Sequence, residues 1–186
     1  DPAALSAAVD NPAWEWALPF ASIHVSMDAA VAQRLGSAPD LLYSSLFSLA
    51  TWLTDSPPNA PWRADVFKRL TAALLAVNQY PAIRERALAA LVTSRDKGIT
   101  FIMRQAIKSS EASIRRLGCV GMGAYGDTEG IKDLSQMLND QNPDVQLAAG
   151  LALGAIGSEA ALENMLQGFI NGEQPLQQAG AEALAI

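Results

Sequence analysis

From Ile83 onward the large apolar residues return at a fixed distance. A shift of 31 aligns Ile83, Ile114, Val145 and Leu176. Four residues on stand Ala87, Gly118, Ala149 and Gly180, and seven on stand Ala90, Gly121, Ala152 and Ala183, all of them small. Eight on stand the large side chains Leu91, Met122, Leu153 and Leu184. Offsets 0, 4, 7, 8 and 11 fall on one face of a helix with 3.6 residues per turn. The eleventh offset holds at Tyr125 and Ile156 and fails at Ser94. A short break follows each of these helices (SRDKG, YGDTEG, IGSEA), and a second helix carries the apolar pairs Met103/Ile107, Leu134/Leu138 and Met165/Phe169. A polar segment (SSEAS, NDQNPD, NGEQP) then closes the unit.

The pattern predicts a helix hairpin of about 31 residues, too small to bury its own apolar face and therefore stacked on its neighbours. The expected fold is all-α, an α-solenoid in which the small residues of columns four and seven let successive helices approach closely. Gly126 and Gly157 suit helix C-termini, where a positive φ is cheap only without a Cβ. Asp127 and Asp144 are the expected N-caps. The regular array runs over 82–186, with starts near 83, 114, 145 and 176, and the last unit stops in mid-pattern. Together with an Asp at position 1, this reads as a piece of a longer protein.

Over residues 1–81 the period fades but the helical reading persists, as two or three divergent helix pairs continuous with the solenoid. Asn11-Pro12 predicts a helix start. Pro19 is expected to kink or divide the segment 12–35, and Gly36 to end it. Asp40 should cap a helix over 41–53, and the proline-rich TDSPPNAP is a rigid loop. WRADVFKRLTAALLAVNQY predicts a long amphipathic helix closed by Pro81. Nine of the twelve aromatic residues precede residue 81, among them Trp14, Trp16, Trp52 and Trp62. Such residues either fill a less regular core or form an aromatic docking surface.

DVQLAAGLALGAIGSEAALENML and SIRRLGCVGMGAYGDTEGIKDLSQML resemble HEAT repeats, specifically the short HEAT-like units also found in phycobilin lyases. Asp144-Val145, Leu153-Gly154 and Ile156-Gly157 match the family pattern of Asp, Val-Arg, small residues and a Leu-Gly-x-Ile-Gly ending. The family's arginine is present as Arg84 and Arg115 and replaced by Gln146 and Gln177. The resemblance covers 82–186 and implies a superhelix that binds other proteins. In such arrays the arginine column often tethers an Asp of the adjoining loop, a structural role. A phycobilin-lyase-like enzyme or subunit is the alternative that the resemblance opens.

Charge sharpens the picture. The net charge of −6 is segregated: residues 1–61 carry one basic and six acidic groups, 62–116 eleven and four, and 117–186 one and nine. The basic belt 62–116 either solvates helix faces, meets an acidic partner, or binds phosphate or nucleic acid. The sequence pI of about 4.7 and the lack of a recognised motif argue against nucleic acid. Of the arginines, Arg86 and Arg116 are the candidates for the open face. On the presented helix, column six holds Ala89, Val120, Leu151 and Glu182, and column two holds Glu85, Arg116, Leu147 and Gln178. Leu147 and Leu151, four apart, are the candidate apolar spot for a protein partner.

Candidate chemistry is sparse. The single histidine, His24, stands in the apolar ASIHVSM and reads as a core or boundary residue. Cys119 reads as a small semi-buried thiol, which makes a reducing, cytoplasmic setting the default. The glycines of GCVGMGAYG lie inside a repeat helix and read as packing residues, not as a phosphate loop. No cofactor or metal is implied, and no apolar run reaches the ~20 residues of a membrane span. The expected role is a non-catalytic interaction, scaffold or sensing segment.

Overall fold

In the computed structural model the described residues are 2–9, 11–36, 40–172, 177 and 181. They form eleven α-helices and two 3-10 turns, with no strand among them. The chain divides into two compact units, residues 1–96 and 97–186. The fourth repeat start at Leu176, with Gln178, Gly180, Glu182, Ala183 and Leu184, lies outside the described residues.

The first unit contains α1 (Pro2–Val9), a 3-10 turn (Pro12–Trp14), α2 (Leu18–His24), α3 (Asp28–Gly36), α4 (Ser44–Trp52), α5 (Arg63–Leu75) and α6 (Pro81–Thr93). Prolines act here as starts. Pro19 sits in the first turn of α2, where a missing N–H leaves no bond unmade, so it opens a helix instead of kinking one. Pro81 likewise opens α6, while α5 stops earlier, at Leu75. Asn78 then takes φ 62° in the connection. Asp40 does cap, accepting from the Leu42 and Ser44 amides at 2.8 and 3.0 Å. It caps a turn, however, in which Tyr43 is left-handed (φ 55°), and α4 begins only at Ser44.

The aromatic residues of this unit split into two groups. Trp52 and Trp62 are buried edge-to-face, ring centres 6.3 Å apart at 83°. Trp14, Trp16 and Phe20 are exposed. Beside Trp52, 5.3 Å from its ring centre, lies the buried guanidinium of Arg34. Arg34 donates to the Val9 carbonyl (2.9 Å), to Glu15 (2.9 Å) and to the Ser48 hydroxyl. One side chain thereby ties α1, the 3-10 turn, α3 and α4 together.

The second unit contains α7 (Gly98–Ala106), α8 (Ala112–Tyr125), a 3-10 turn (Thr128–Gly130), α9 (Ile131–Met137), α10 (Pro143–Ile156) and α11 (Glu159–Asn171). First helices pack on first helices (α8 on α10) and second on second (α9 on α11), and α7 and α9 also rest on the first helix that follows each. This is hairpin stacking of the solenoid kind. The predicted stripe is the buried face: Ile114 and Val145, Gly118 and Ala149, Met122 and Leu153. Gly126 and Gly157 end α8 and α10 at φ 77° and 65°. Asp127 caps as expected, accepting from Gly130 N. The cap of α10 is Asn142 instead of Asp144, with the Asn142 side chain accepting from Asp144 N at 2.9 Å. Asp144 falls in the first turn, where its charge suits the helix dipole.

The close approach of α8 and α10 uses a column that the size pattern does not single out. A Cβ on Gly123, in column nine, would stand 2.6 Å from the Ala152 Cα, in column seven. A Cβ on Gly118, in column four, would meet Ile107 at 2.8 Å, so that column seats α8 on the end of the preceding hairpin. Gly123→Ala places a methyl against backbone that cannot rotate away. It should destabilise the second unit by about 1–3 kcal/mol, read as a lowered urea midpoint.

Candidate interaction face

The column beginning with Arg84 performs one task in two chemistries. Arg84 donates to the Ala76 carbonyl at 2.7 Å, and Arg115 to the Ser109 and Ser110 carbonyls at 3.0 Å each. Gln146 donates to the Asp140 carbonyl at 2.7 Å and Gln177 to the Gly172 carbonyl at 3.1 Å. Arg84, Arg115 and Gln146 each reach back into the connection that leads into their own helix and satisfy carbonyls there. A glutamine amide serves the carbonyl as a guanidinium does, so the family's arginine is dispensable for that part of the role.

Arg115 adds a carboxylate. It grips Asp140 through two parallel bonds of 2.7 and 2.8 Å, and Asp140 also accepts from Asn142 N at 2.9 Å. Since Asp140 leads into α10, the pair pins one hairpin to the next. The Arg115 hydrogen bonds hold the Asp140 carboxyl below its usual range, against the opposing effect of burial, with the Asn142 amide helping. Asp140 was not legible from the period: its equivalents are Ser109 and Asn171.

The same pairing consumes much of the basic belt. Arg63 donates to the Leu53 carbonyl (2.6 Å) and the Ser56 hydroxyl and pairs with Asp96 at 3.3 Å. Arg104 lies 3.3 Å from Asp127 and 3.7 Å from both Glu129 and Asp133. Arg86 is exposed, yet its guanidinium rests 4.1 Å from the centre of the Phe47 ring. Lys68, Arg69, Arg95, Lys97 and Lys108 remain as exposed cations.

Column six faces solvent at all three described starts: Ala89 is exposed, as are Val120 (38 %) and Leu151 (46 %). Because α8 packs along α10, Val120 and Leu151 are apolar residues on neighbouring outward faces. In column two, Glu85 is exposed, whereas Arg116 and Leu147 are half-buried. Leu147 thus contributes an edge to the surface and Leu151 most of a side chain.

Cys119 lies deeper than the semi-buried position expected of it, and His24 lies outside the core or boundary expected of it. Cys119 is fully buried. Its burial, reinforced by the nearby Asp140 charge and only partly offset by Arg115, pushes the thiol up to about 12. His24 is exposed at the end of α2, where the core of the first unit does not reach. Among the described residues no group of three or more His, Cys, Asp or Glu side chains is placed to hold a metal.

Two measurements check this electrostatic account. Asp140 has a depressed folded pKa, so its stabilising contribution is fully present above the ordinary aspartate value of 3.8 and is lost as pH falls through the folded value. Asp140→Asn should therefore cost about 1.5–3 kcal/mol in urea unfolding at neutral pH, and the gap to the wild type should shrink at about pH 3. Cys119 should resist an aromatic disulfide reagent at about pH 8 in the folded protein and react once denaturant is added.

Residues 99–185 match the family model for HEAT repeats. A search of curated proteins found no match. With the stacked hairpins, the column of carbonyl-binding Arg and Gln side chains and the glycine-ended helices already described, the segment 99–185 is a run of HEAT repeats.

Proposed function

We propose that this chain is a non-catalytic protein-interaction segment, a scaffold or sensor within a larger protein, and that the outward faces of α8 and α10 receive the partner. HEAT repeats commonly mediate protein–protein interaction. The observation that carries the proposal for this chain is the apolar exposure of column six on two adjacent helices, Val120 and Leu151. A repeat buries its stripe through columns zero, four, seven and eight, so packing within the array does not call for large apolar side chains in column six. Leu147 and Arg116 flank Leu151 and Val120 in the neighbouring column and supply an apolar edge and a cation. Arg86 belongs to the proposal only as a cation already seated on Phe47. A reducing, cytoplasmic setting accompanies this reading, since the one thiol is buried and not committed to a disulfide.

No helix among the described residues is long and apolar enough to cross a membrane. The internal engagement of Arg63, Arg84, Arg104 and Arg115 favours a protein over a nucleic-acid partner. Leu151→Asp should leave the unfolding free energy within about 0.5 kcal/mol of the wild type. It should also remove a defined set of proteins from affinity capture with chemical crosslinking, identified by mass spectrometry, at a loss of about tenfold or more. An unchanged set with the variant overturns the proposed face. A bilin held covalently by the protein after co-expression with chromophore overturns the non-catalytic reading in favour of lyase-like handling.

A further inference from the structure

The first unit contains a cavity of about 300 Å³ lined by three helices and a turn. One wall is α5, which offers Arg69, Ala72 and Ala73, with Ala76 just beyond its end. These positions are spaced 0, 3, 4 and 7 and so share one side of the helix. The opposite walls are Arg34 and Leu35 of α3, Asp40 and Tyr43 of the turn before α4, and Ser45 and Leu46 of α4. Three alanines face Leu35 and Leu46 across the space, and no large side chain of α5 fills it.

The polar groups of the lining are not equivalent. The Arg34 guanidinium is spent on Val9, Glu15 and Ser48. Arg69 is exposed and makes no hydrogen bond, ion pair or ring contact with the described residues. Asp40 is the one carboxylate of the lining. The Ser44 and Leu42 amides that bond it hold its carboxyl below the usual range, so it is anionic at neutral pH. The Tyr43 hydroxyl accepts from Gln79 Nε2 at 3.0 Å, which leaves its own proton to donate. Tyr43 is also held at φ 55°, a conformation a side chain of this size rarely adopts and one that recurs at ligand sites.

We propose that this cavity binds a small organic monocarboxylate with an apolar tail, anchored by Arg69. The guanidinium fork matches a carboxylate in two parallel bonds, and the Tyr43 hydroxyl supplies a further donor. The alanines, Leu35 and Leu46 offer an apolar wall to the tail, which a bare inorganic anion would waste. Asp40 sets the charge limit. A second negative charge on the ligand would meet a fixed carboxylate on the same lining, so dianions are disfavoured. The site is independent of the α8–α10 face and adds a small-molecule input to the first unit.

The full chain is titrated with hexanoate, with benzoate and, separately, with inorganic phosphate, followed by calorimetry and by amide chemical shifts. Saturable hexanoate or benzoate binding at millimolar concentration or below is expected, with shifts centred on Tyr43, Leu46 and Ala73 and none from phosphate. Arg69→Gln should weaken binding by about tenfold or more. Ala72→Leu, which fills the space from an exposed position and keeps Arg69, should weaken it comparably. Circular dichroism and the melting temperature of both variants should match the wild type, since both residues are exposed. Leu151→Asp should bind hexanoate as the wild type does, which separates this proposal from the partner face. Absence of saturable binding, equal binding of phosphate, or affinity unchanged in Arg69→Gln overturns the assignment.

Discussion

A two-helix hairpin of about 31 residues exposes more apolar surface than it can cover by folding on itself, and everything regular in the second unit answers that deficit. The solution is side-by-side stacking at very short range. At Gly123 and Ala152 the backbones of α8 and α10 come so close that a single added carbon would meet a main-chain atom at 2.6 Å. Contact at this range lets small side chains do the gluing, because dispersion between closely packed backbones replaces the burial that larger residues would provide. The alanine- and glycine-rich composition of the repeat helices follows from it.

The connections also leave carbonyls in need of partners. The column of Arg84, Arg115 and Gln146 meets that need by returning to the carbonyls of the preceding connection. At one repeat boundary the same column gains a charge pair, Arg115 with Asp140, which is mostly buried and hydrogen-bonded on both sides. Burial, with the Asp140 charge adding and the Arg115 charge opposing, raises the pKa of the nearby Cys119 thiol. The first unit solves a comparable problem without a period. Arg34 and Arg63 lie in its interior and bind the carbonyls and hydroxyls of connections that no repeat pattern aligns. Charge in this chain is in large part structural, and the segregation seen along the sequence is partly dissolved by folding.

Packing leaves two features unconsumed: in the second unit the outward column of Val120 and Leu151, and in the first the cavity bordered by Arg69 and Tyr43. The two differ in kind. One is a pair of exposed apolar side chains on adjacent helices, the other a small cavity bordered by Arg69 and Asp40. HEAT-type helical folds are typically non-catalytic, and both sites are read as recognition, not turnover.

How much of this was legible in the sequence depends on whether a residue answers to its own helix or to a distant one. The helix class, the 31-residue unit, the buried stripe and the glycine ends at Gly126 and Gly157 were set locally, by periodicity and by the φ that only glycine takes cheaply. The column-nine contact of Gly123 was not legible in this way: Gly154, its equivalent, has only the Met165 sulfur at 3.3 Å beside it. Other features could not be read this way. The partnership of Arg115 with an Asp140 that has no periodic equivalent, and the burial of Arg34 and Arg63, depend on residues 10 to 33 positions away. The sequence by itself determined the repeating helices and the face each one buries, because spacing along a helix dictates which side chains share a side. Only the tertiary structure decided which charges turn inward, which apolar residues stay outside and where a cavity opens. Those outcomes depend on how separate helices meet, and nothing in local spacing encodes that meeting.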